Sequence, residues 1–457
     1  MSKERLFGTD GVRGVANKDL TADLAMHLGM AAGHRVRQMP AAAGGRPAVV
    51  IGRDTRLSGD MLEAALAAGL AAMGVDVTNV GVVPTPAVAQ IVLARNFAAG
   101  IVISASHNPF EDNGIKFFGA NGKKLPDRVE DEIEATIAAL GTLPRPTGGD
   151  IGRVVETHEP VTEYVSRVMA TIGGTEARPL GGLRLVMDCA NGAAFELGPM
   201  IFHDLGADLT VIHAEPNGVN INVHCGSTKP QDMAAKVKEA GASAGLAFDG
   251  DADRVILADE QGEIVDGDQM MAIIALHLQA LGKLPGNVVV ATIMSNVGLE
   301  QALEAHGIRL HRTDVGDRYV AEAMDALDAA VGGEQSGHIL LPGLTPTGDG
   351  LVTALQVLTV MHETGKPLSE LARIVQPGPQ LLKNVRVQTR QGWREDPDIR
   401  EAIAAGQARL GSPEWLSVRP SGTEPLIRVM AQGIDRETVE SVVHDICAVI
   451  ERKLGCP

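Results

Sequence analysis

Short apolar runs recur along the chain, each followed by a polar loop and then by a stretch with helical spacing. Residues 48–51 form such a run, followed by Gly52-Arg53-Asp54, and residues 62–73 read as an Ala/Leu-rich helix. Residues 101–103 form another run, ending in a polar loop. Residues 129–140 place Val129, Ile133, Ile137 and Leu140 on one helical face. The pattern returns at 183–187, before Asp188-Cys189-Ala190-Asn191-Gly192, then at 245–248, and at 288–291 before a helix near 298–306. This alternation predicts an α/β protein built from related units.

Two proline-containing stretches punctuate it. Residues 143–149, Leu-Pro-Arg-Pro-Thr-Gly-Gly, have no periodicity and place a first boundary near residue 150. Pro377-Gly378-Pro379 opens a last segment, where 382–387, 415–418 and 427–430 read as strands and 399–410 and 437–453 as helices. That segment predicts a small separate α+β domain.

Composition narrows the functional classes. The 457 residues suggest about three domains at roughly 150 residues each. Aromatics are only 3%, so the cores must be aliphatic. A net charge of −17 argues against a general nucleic-acid surface, which needs clustered Lys and Arg. Cys189, Cys225, Cys447 and Cys456 show neither a CxxC pair nor zinc-ligand spacing, which predicts a reducing, cytoplasmic setting. No stretch reaches the roughly eighteen consecutive apolar residues of a membrane helix, and the first residues have no apolar signal core.

Five polar clusters could carry chemistry. Asp249-Gly250-Asp251-Ala252-Asp253-Arg254 lies between two apolar runs. In an extended segment its three carboxylates would share one face, and such crowding suits a hard divalent cation; the alternative is a solvated acidic turn. An EF-hand is excluded, because its sixth position needs Gly and here holds Arg254. Ser104-Ala105-Ser106-His107-Asn108-Pro109 follows an apolar run and offers a nucleophilic serine or a plain turn. His107 beside Ser106 is not the geometry of a catalytic triad. Arg419-Pro420-Ser421-Gly422-Thr423-Glu424-Pro425, with Arg428, combines turn N–H groups with two guanidinium forks and reads as a phosphate cradle or a surface turn. Gly332-Gly333-Glu334-Gln335-Ser336-Gly337-His338 could hydrogen-bond sugar hydroxyls or form a plain polar turn. Gly8-Thr9-Asp10-Gly11-Val12-Arg13-Gly14 is a phosphate-contacting loop or a flexible start.

In order and spacing, the clusters at 104–109, 249–254, 333–338 and 419–425 resemble the α-D-phosphohexomutases over essentially the whole chain. Gly8 to Gly14, Asn220-Ile221-Asn222 with Cys225-Gly226-Ser227-Thr228, Met294-Ser295-Asn296 and the Gln335 segment resemble most the bacterial members acting on glucosamine phosphates. Lys229-Pro230 departs from relatives that often have His there. The resemblance implies three similar α/β domains with mixed sheets and a smaller C-terminal α+β domain around a central cleft. It implies a phosphoserine-loop domain at 1–150, a metal-loop domain at 151–258, a sugar-loop domain at 259–376 and a phosphate-binding domain at 377–457. It implies interconversion of glucosamine 6-phosphate and glucosamine 1-phosphate through a phosphorylated Ser106 and a glucosamine 1,6-bisphosphate intermediate, which also serves as activator. One Mg²⁺ would be held by Asp249, Asp251, Asp253 and a Ser106 phosphate oxygen. Arg13, His107, Lys116 and His338 would contact phosphate or move protons. Arg254, Glu334, Ser336, Arg419, Ser421, Gly422, Thr423 and Arg428 would bind substrate. Homodimers are common in the family.

Overall fold

The computed structural model describes residues 5–8, 10–39, 45–176, 178–421 and 425–455. The chain divides into two compact units, one of residues 1–274 and 336–372, the other of 275–335 and 373–457.

The first unit holds two mixed sheets. In one, strands β1 (Val12–Val15), β2 (Ala48–Arg53), β3 (Asp76–Val82), β4 (Ala99–Ile103), β5 (Asp112–Gly119) and β6 (Val154–Glu156) lie in the order β1-β5-β4-β2-β3-β6. Strands β4, β2, β3 and β6 are parallel, while β5 runs antiparallel to β4 and β1. All five residues of β4, Ala-Gly-Ile-Val-Ile, are buried, as expected for a central strand covered on both faces. Leu28, Ile51, Leu66, Ile101 and Ile115 form the aliphatic core, and Phe7 meets Phe117 at 6.0 Å between ring centroids. The helix Ala22–Arg37 begins at Thr21, whose hydroxyl accepts from the Leu24 N–H at 3.2 Å, and ends in basic residues that suit the helix dipole. Strand β6 extends the first sheet beyond residue 150.

In the other sheet, β7 (Arg184–Asp188), β8 (Asp208–Ile212), β9 (Ala244–Phe248), β10 (Val255–Asp259) and β11 (Ile264–Val265) take the order β11-β10-β9-β7-β8. Here β9, β7 and β8 are parallel, and β10 returns antiparallel to β9. Both sheets therefore pass from a buried parallel strand through a loop to an antiparallel neighbour: β4 to β5 and β9 to β10.

In the second unit, Val288–Thr292 pairs parallel with Arg309–Thr313 and Val331–Gly333. The smaller C-terminal sheet is antiparallel, in the order Gln380–Arg386, Leu426–Gln432, Leu416–Pro420. The helices Pro397–Leu410 and Arg436–Leu454 contribute Ile399, Val442 and Ile446 to its core. Among the described residues no helix is long and apolar enough to cross a membrane.

Candidate active site

Ser106 follows the carboxyl end of β4, where ligands gather in open α/β sheets. Its φ of 52° lies in the left-handed region that side-chain-bearing residues rarely adopt. The surroundings hold it there. Its N–H donates to Ser104 Oγ at 2.9 Å, and that hydroxyl donates to Asp54 Oδ2 at 2.6 Å. Arg56, with a fully buried side chain, reaches across the loop. Its Nε donates to Asp54 Oδ2 at 2.8 Å, Nη2 to the carbonyls of Ser106 and Asn108, both at 2.9 Å, and Nη1 to those of Asp112, at 3.0 Å, and Pro109. These bonds engage the guanidinium's full donor set. Asn222 Nδ2 adds bonds to the carbonyls of Ser106 and Asn108 at 2.9 and 3.1 Å.

The acidic loop from β9 to β10 meets this loop. Ser106 Oγ donates to Asp249 Oδ2 at 2.6 Å. Gly250 makes the approach possible, because a Cβ there would stand 2.5 Å from the Ser106 carbonyl oxygen. The three carboxylates each offer an oxygen within 4.8 Å of the others, and all three residues are buried. The extended segment expected from their alternation is corrected: 249–254 is a tight turn with Ala252 at φ 57°. The carboxylates converge because the chain reverses between antiparallel strands, not because they share one face of a strand.

Asp251 Oδ2 accepts from Thr85 Oγ1 at 2.7 Å and Lys116 Nζ at 2.9 Å. Lys116 Nζ also lies 3.2 Å from Asp10 Oδ2 and 3.9 Å from Asp253 Oδ2. Burial pulls the Lys116 pKa down, but Asp10, Asp251 and Asp253 outweigh it and raise it, so the ammonium stays charged. Asp10 also pairs with Arg13 and Lys124. His338 Nδ1 lies 3.5 Å and Arg254 Nε 3.7 Å from Asp253 Oδ1, while the Arg254 N–H donates to Asp249 Oδ1 at 3.2 Å. Burial raises the Asp253 pKa, but His338, Lys116 and Arg254 bring it below the usual carboxylate range. Burial, then Asp253 and Asp251, push the Asp249 carboxyl well above that range. His107 Nδ1 lies 3.4 Å from Ser106 Oγ. Burial, then Arg254 and Arg13, lower its pKa to about 4, leaving a neutral imidazole near pH 7.

The first unit thus brings together Ser106, His107, Lys116, Asp249, Asp251, Asp253, Arg254 and His338, with Arg13 joined through Asp10. Ser336, in the same unit, is exposed. The triad fits a hard divalent cation: its donors are all carboxylate oxygens, and among the described residues Asp251 Oδ1 and Asp253 Oδ1 are buried without a hydrogen bond.

In the second unit, Arg419 and Arg428 stand directly opposite each other across the strand pair. Burial, then Arg428, lowers the Arg419 pKa, while Glu334 raises it. Two like charges in register are unfavourable without an anion. Ser421 is buried, its N–H donates to the Leu426 carbonyl at 2.9 Å, and its carbonyl accepts from Arg390. Gly422 and Thr423 lie outside the described residues.

Sequence reasoning missed Asp54, Arg56 and Thr85, and quoted Asp10 only as part of the N-terminal loop. The polar stretch past the apolar run at 48–51 marks Asp54 but not how far Arg56 reaches, and nothing in the pattern marks Thr85.

Models describing phosphoglucomutase/phosphomannomutase alpha/beta/alpha domains I, II and III match residues 4–143, 162–262 and 266–377, and that of the C-terminal domain matches 382–449. The phosphoglucosamine mutase of Moorella thermoacetica is 53% identical over 440 residues, spanning 96% of this chain and 97% of that protein. That of Desulforudis audaxviator is 51% identical over 446 residues, spanning 97% of each. A phosphoglucomutase/phosphomannomutase family protein from Burkholderia thailandensis superposes with a TM-score of 0.80 at 25% identity, over 100% of both chains. Aspergillus fumigatus N-acetylphosphoglucosamine mutase, solved with GlcNAc-6P and magnesium, shares the fold at a TM-score of 0.63 and 18% identity, covering 98% of this chain and 96% of that one. With four domain models matched in order and near-full-length relatives about half identical, the chain belongs to the phosphoglucomutase/phosphomannomutase family, the α-D-phosphohexomutases.

Proposed function

We propose that the chain interconverts glucosamine 6-phosphate and glucosamine 1-phosphate through a phosphoserine at Ser106 and a glucosamine 1,6-bisphosphate intermediate, supplying amino-sugar precursors of the cell wall. The observation that carries this is Ser106 Oγ, 2.6 Å from one of three buried aspartates, in a chain about half identical to bacterial phosphoglucosamine mutases.

Phosphoryl transfer depends on positioning and charge neutralisation more than on covalent chemistry. Asp249, Asp251 and Asp253, with an oxygen of the Ser106 phosphate, would hold Mg²⁺. When bound, Mg²⁺ supplies positive charge next to the transferring group. A substrate hydroxyl attacks phosphorus, the bond to Ser106 Oγ breaks, and a proton passes from the hydroxyl to the freed Oγ. His107, neutral and 3.4 Å from Oγ, is placed to join that exchange. Lys116, 2.9 Å from Asp251 Oδ2 and 3.2 Å from Asp10 Oδ2, would contact phosphate or take part in the proton exchange. Arg13, Arg254 and His338 complete the charge around the acidic turn. Arg419, Ser421, Gly422, Thr423 and Arg428 would hold the non-reacting phosphate, and Glu334 and Ser336 the sugar hydroxyls in both orientations of the intermediate.

The domain division at 150, 258 and 376 belongs to this reading. So do the cytoplasmic setting, favoured by three buried free thiols, and a homodimer, which light scattering on the purified protein would check.

A coupled assay of glucosamine 6-phosphate with Mg²⁺ and a trace of bisphosphate should show turnover exceeding that on glucose 1-phosphate. Intact mass should reveal one phosphate, lost together with turnover in Ser106→Ala. Full activity in that variant would refute the phosphoserine role.

A further inference from the structure

A second group of metal-ligating side chains lies outside this site. Asp188 ends β7, His213 directly follows β8, and Cys225 stands in the long loop after it. Each offers a ligand atom within 4.8 Å of the other two. Asp188 and Cys225 are fully buried, while the His213 ring is partly open to solvent. His213 Nδ1 lies 3.1 Å from Asp188 Oδ2, yet this buried nitrogen makes no hydrogen bond among the described residues. That separation leaves the nitrogen and the carboxylate oxygen close enough to share one ion. The other ring nitrogen, Nε2, faces Asp232 Oδ2 at 3.8 Å. Metal-bound histidines usually present their second nitrogen to such a carboxylate.

We propose that Asp188, His213 Nδ1 and Cys225 form a zinc site, with water as fourth ligand and Asp232 orienting the imidazole. One nitrogen, one thiolate and one carboxylate oxygen suit zinc and other borderline ions, whereas the all-oxygen aspartate turn suits hard ones. Binding deprotonates the Cys225 thiol and releases that proton to solvent, while imidazole and carboxylate bind in their neutral and ionised forms. The ion would clip the ends of β7 and β8 to the 225 loop. That loop in turn leans on β9, because the Ser227 N–H donates to the Phe248 carbonyl at 2.8 Å, one residue before Asp249.

The test uses full-length protein stripped of metal and then saturated with Mg²⁺ to occupy the aspartate turn. Titration with Co²⁺ should raise a near-ultraviolet thiolate-to-cobalt absorption that saturates at one equivalent and disappears on adding Zn²⁺. Cys225→Ser should abolish the band and Cys189→Ser should keep it. Asp232→Asn should weaken binding by about 10–100-fold. His213→Asn, at a partly exposed ring, keeps the test valid if Cys225→Ser fails to fold, and should also remove tight binding. No band in the unmodified protein, a band surviving Cys225→Ser, or unchanged affinity in His213→Asn would overturn the proposal.

Discussion

Arg56 shows how much one side chain can organise. Its guanidinium holds four carbonyls of the Ser106 loop and the buried Asp54 carboxylate. A lysine keeps the charge but not the planar fork. Arg56→Lys should therefore lower kcat on the order of 100-fold, the scale of a 1 Å misplacement, with KM little changed. Arg56→Met would leave Asp54 buried without a counter-charge and should cost about 3–5 kcal/mol in urea denaturation. Asp349 gives a residue-scale prediction in pH. It caps the helix Gly350–Thr364 and accepts from Tyr164 Oη at 3.1 Å. Burial raises its pKa to about 7, against the pull of the Val352, Tyr164 and Leu351 donors. The folded state thus holds this proton more tightly than the unfolded state. That stabilising contribution is complete below the ordinary value of 3.8 and is lost as pH rises through about 7. Asp349→Asn keeps a capping side chain and should flatten the fall in unfolding free energy across that window. An equally steep fall in the variant would count against the assignment.

At the scale of elements, the site is made by two equivalent crossings, β4 to β5 and β9 to β10, whose loops touch. Gly250 is their contact point: a Cβ on it would stand 2.5 Å from the Ser106 carbonyl oxygen, while Gly192, in the loop after β7, packs against it, since a Cβ there would stand 2.4 Å from the Gly250 carbonyl oxygen. Both of these oxygens are backbone, so the loops themselves must move. Gly250→Ala should lower turnover and raise the Mg²⁺ concentration for half-maximal activity by about tenfold or more, with far-ultraviolet circular dichroism unchanged. Normal Mg²⁺ dependence in the variant would show that the loops tolerate separation. The strands themselves were legible in sequence. The runs at 101–103, 245–248 and 288–291 lie inside observed strands, because a central strand must be apolar on both faces and this leaves a compact signal. The acidic turn was legible as a cluster but misread as extended, because periodicity describes regular elements and not the reversal between them.

For the whole molecule, the acidic character bears on stability as well as partners. Three buried carboxylates within 4.8 Å of one another repel, and a bound cation relieves that in the folded state alone. Mg²⁺ at about a hundred times its Kd should add about 2.7 kcal/mol, and chelation should lower Tm and abolish turnover together. Full activity after chelation would remove the metal from the mechanism. What the sequence by itself determined is the order of the elements, the family, and the residue types that can bind phosphate and a cation. These follow from local patterning and from motifs that survive as contiguous segments. Only the tertiary structure decided that Ser106 Oγ meets Asp249, that Lys116 stays charged between Asp10 and Asp251, that Arg56 clamps the Ser106 loop, and that Asp188, His213 and Cys225 converge. Those contacts join residues distant along the chain, and their distances and burial set the electrostatics, which no pattern along one dimension contains.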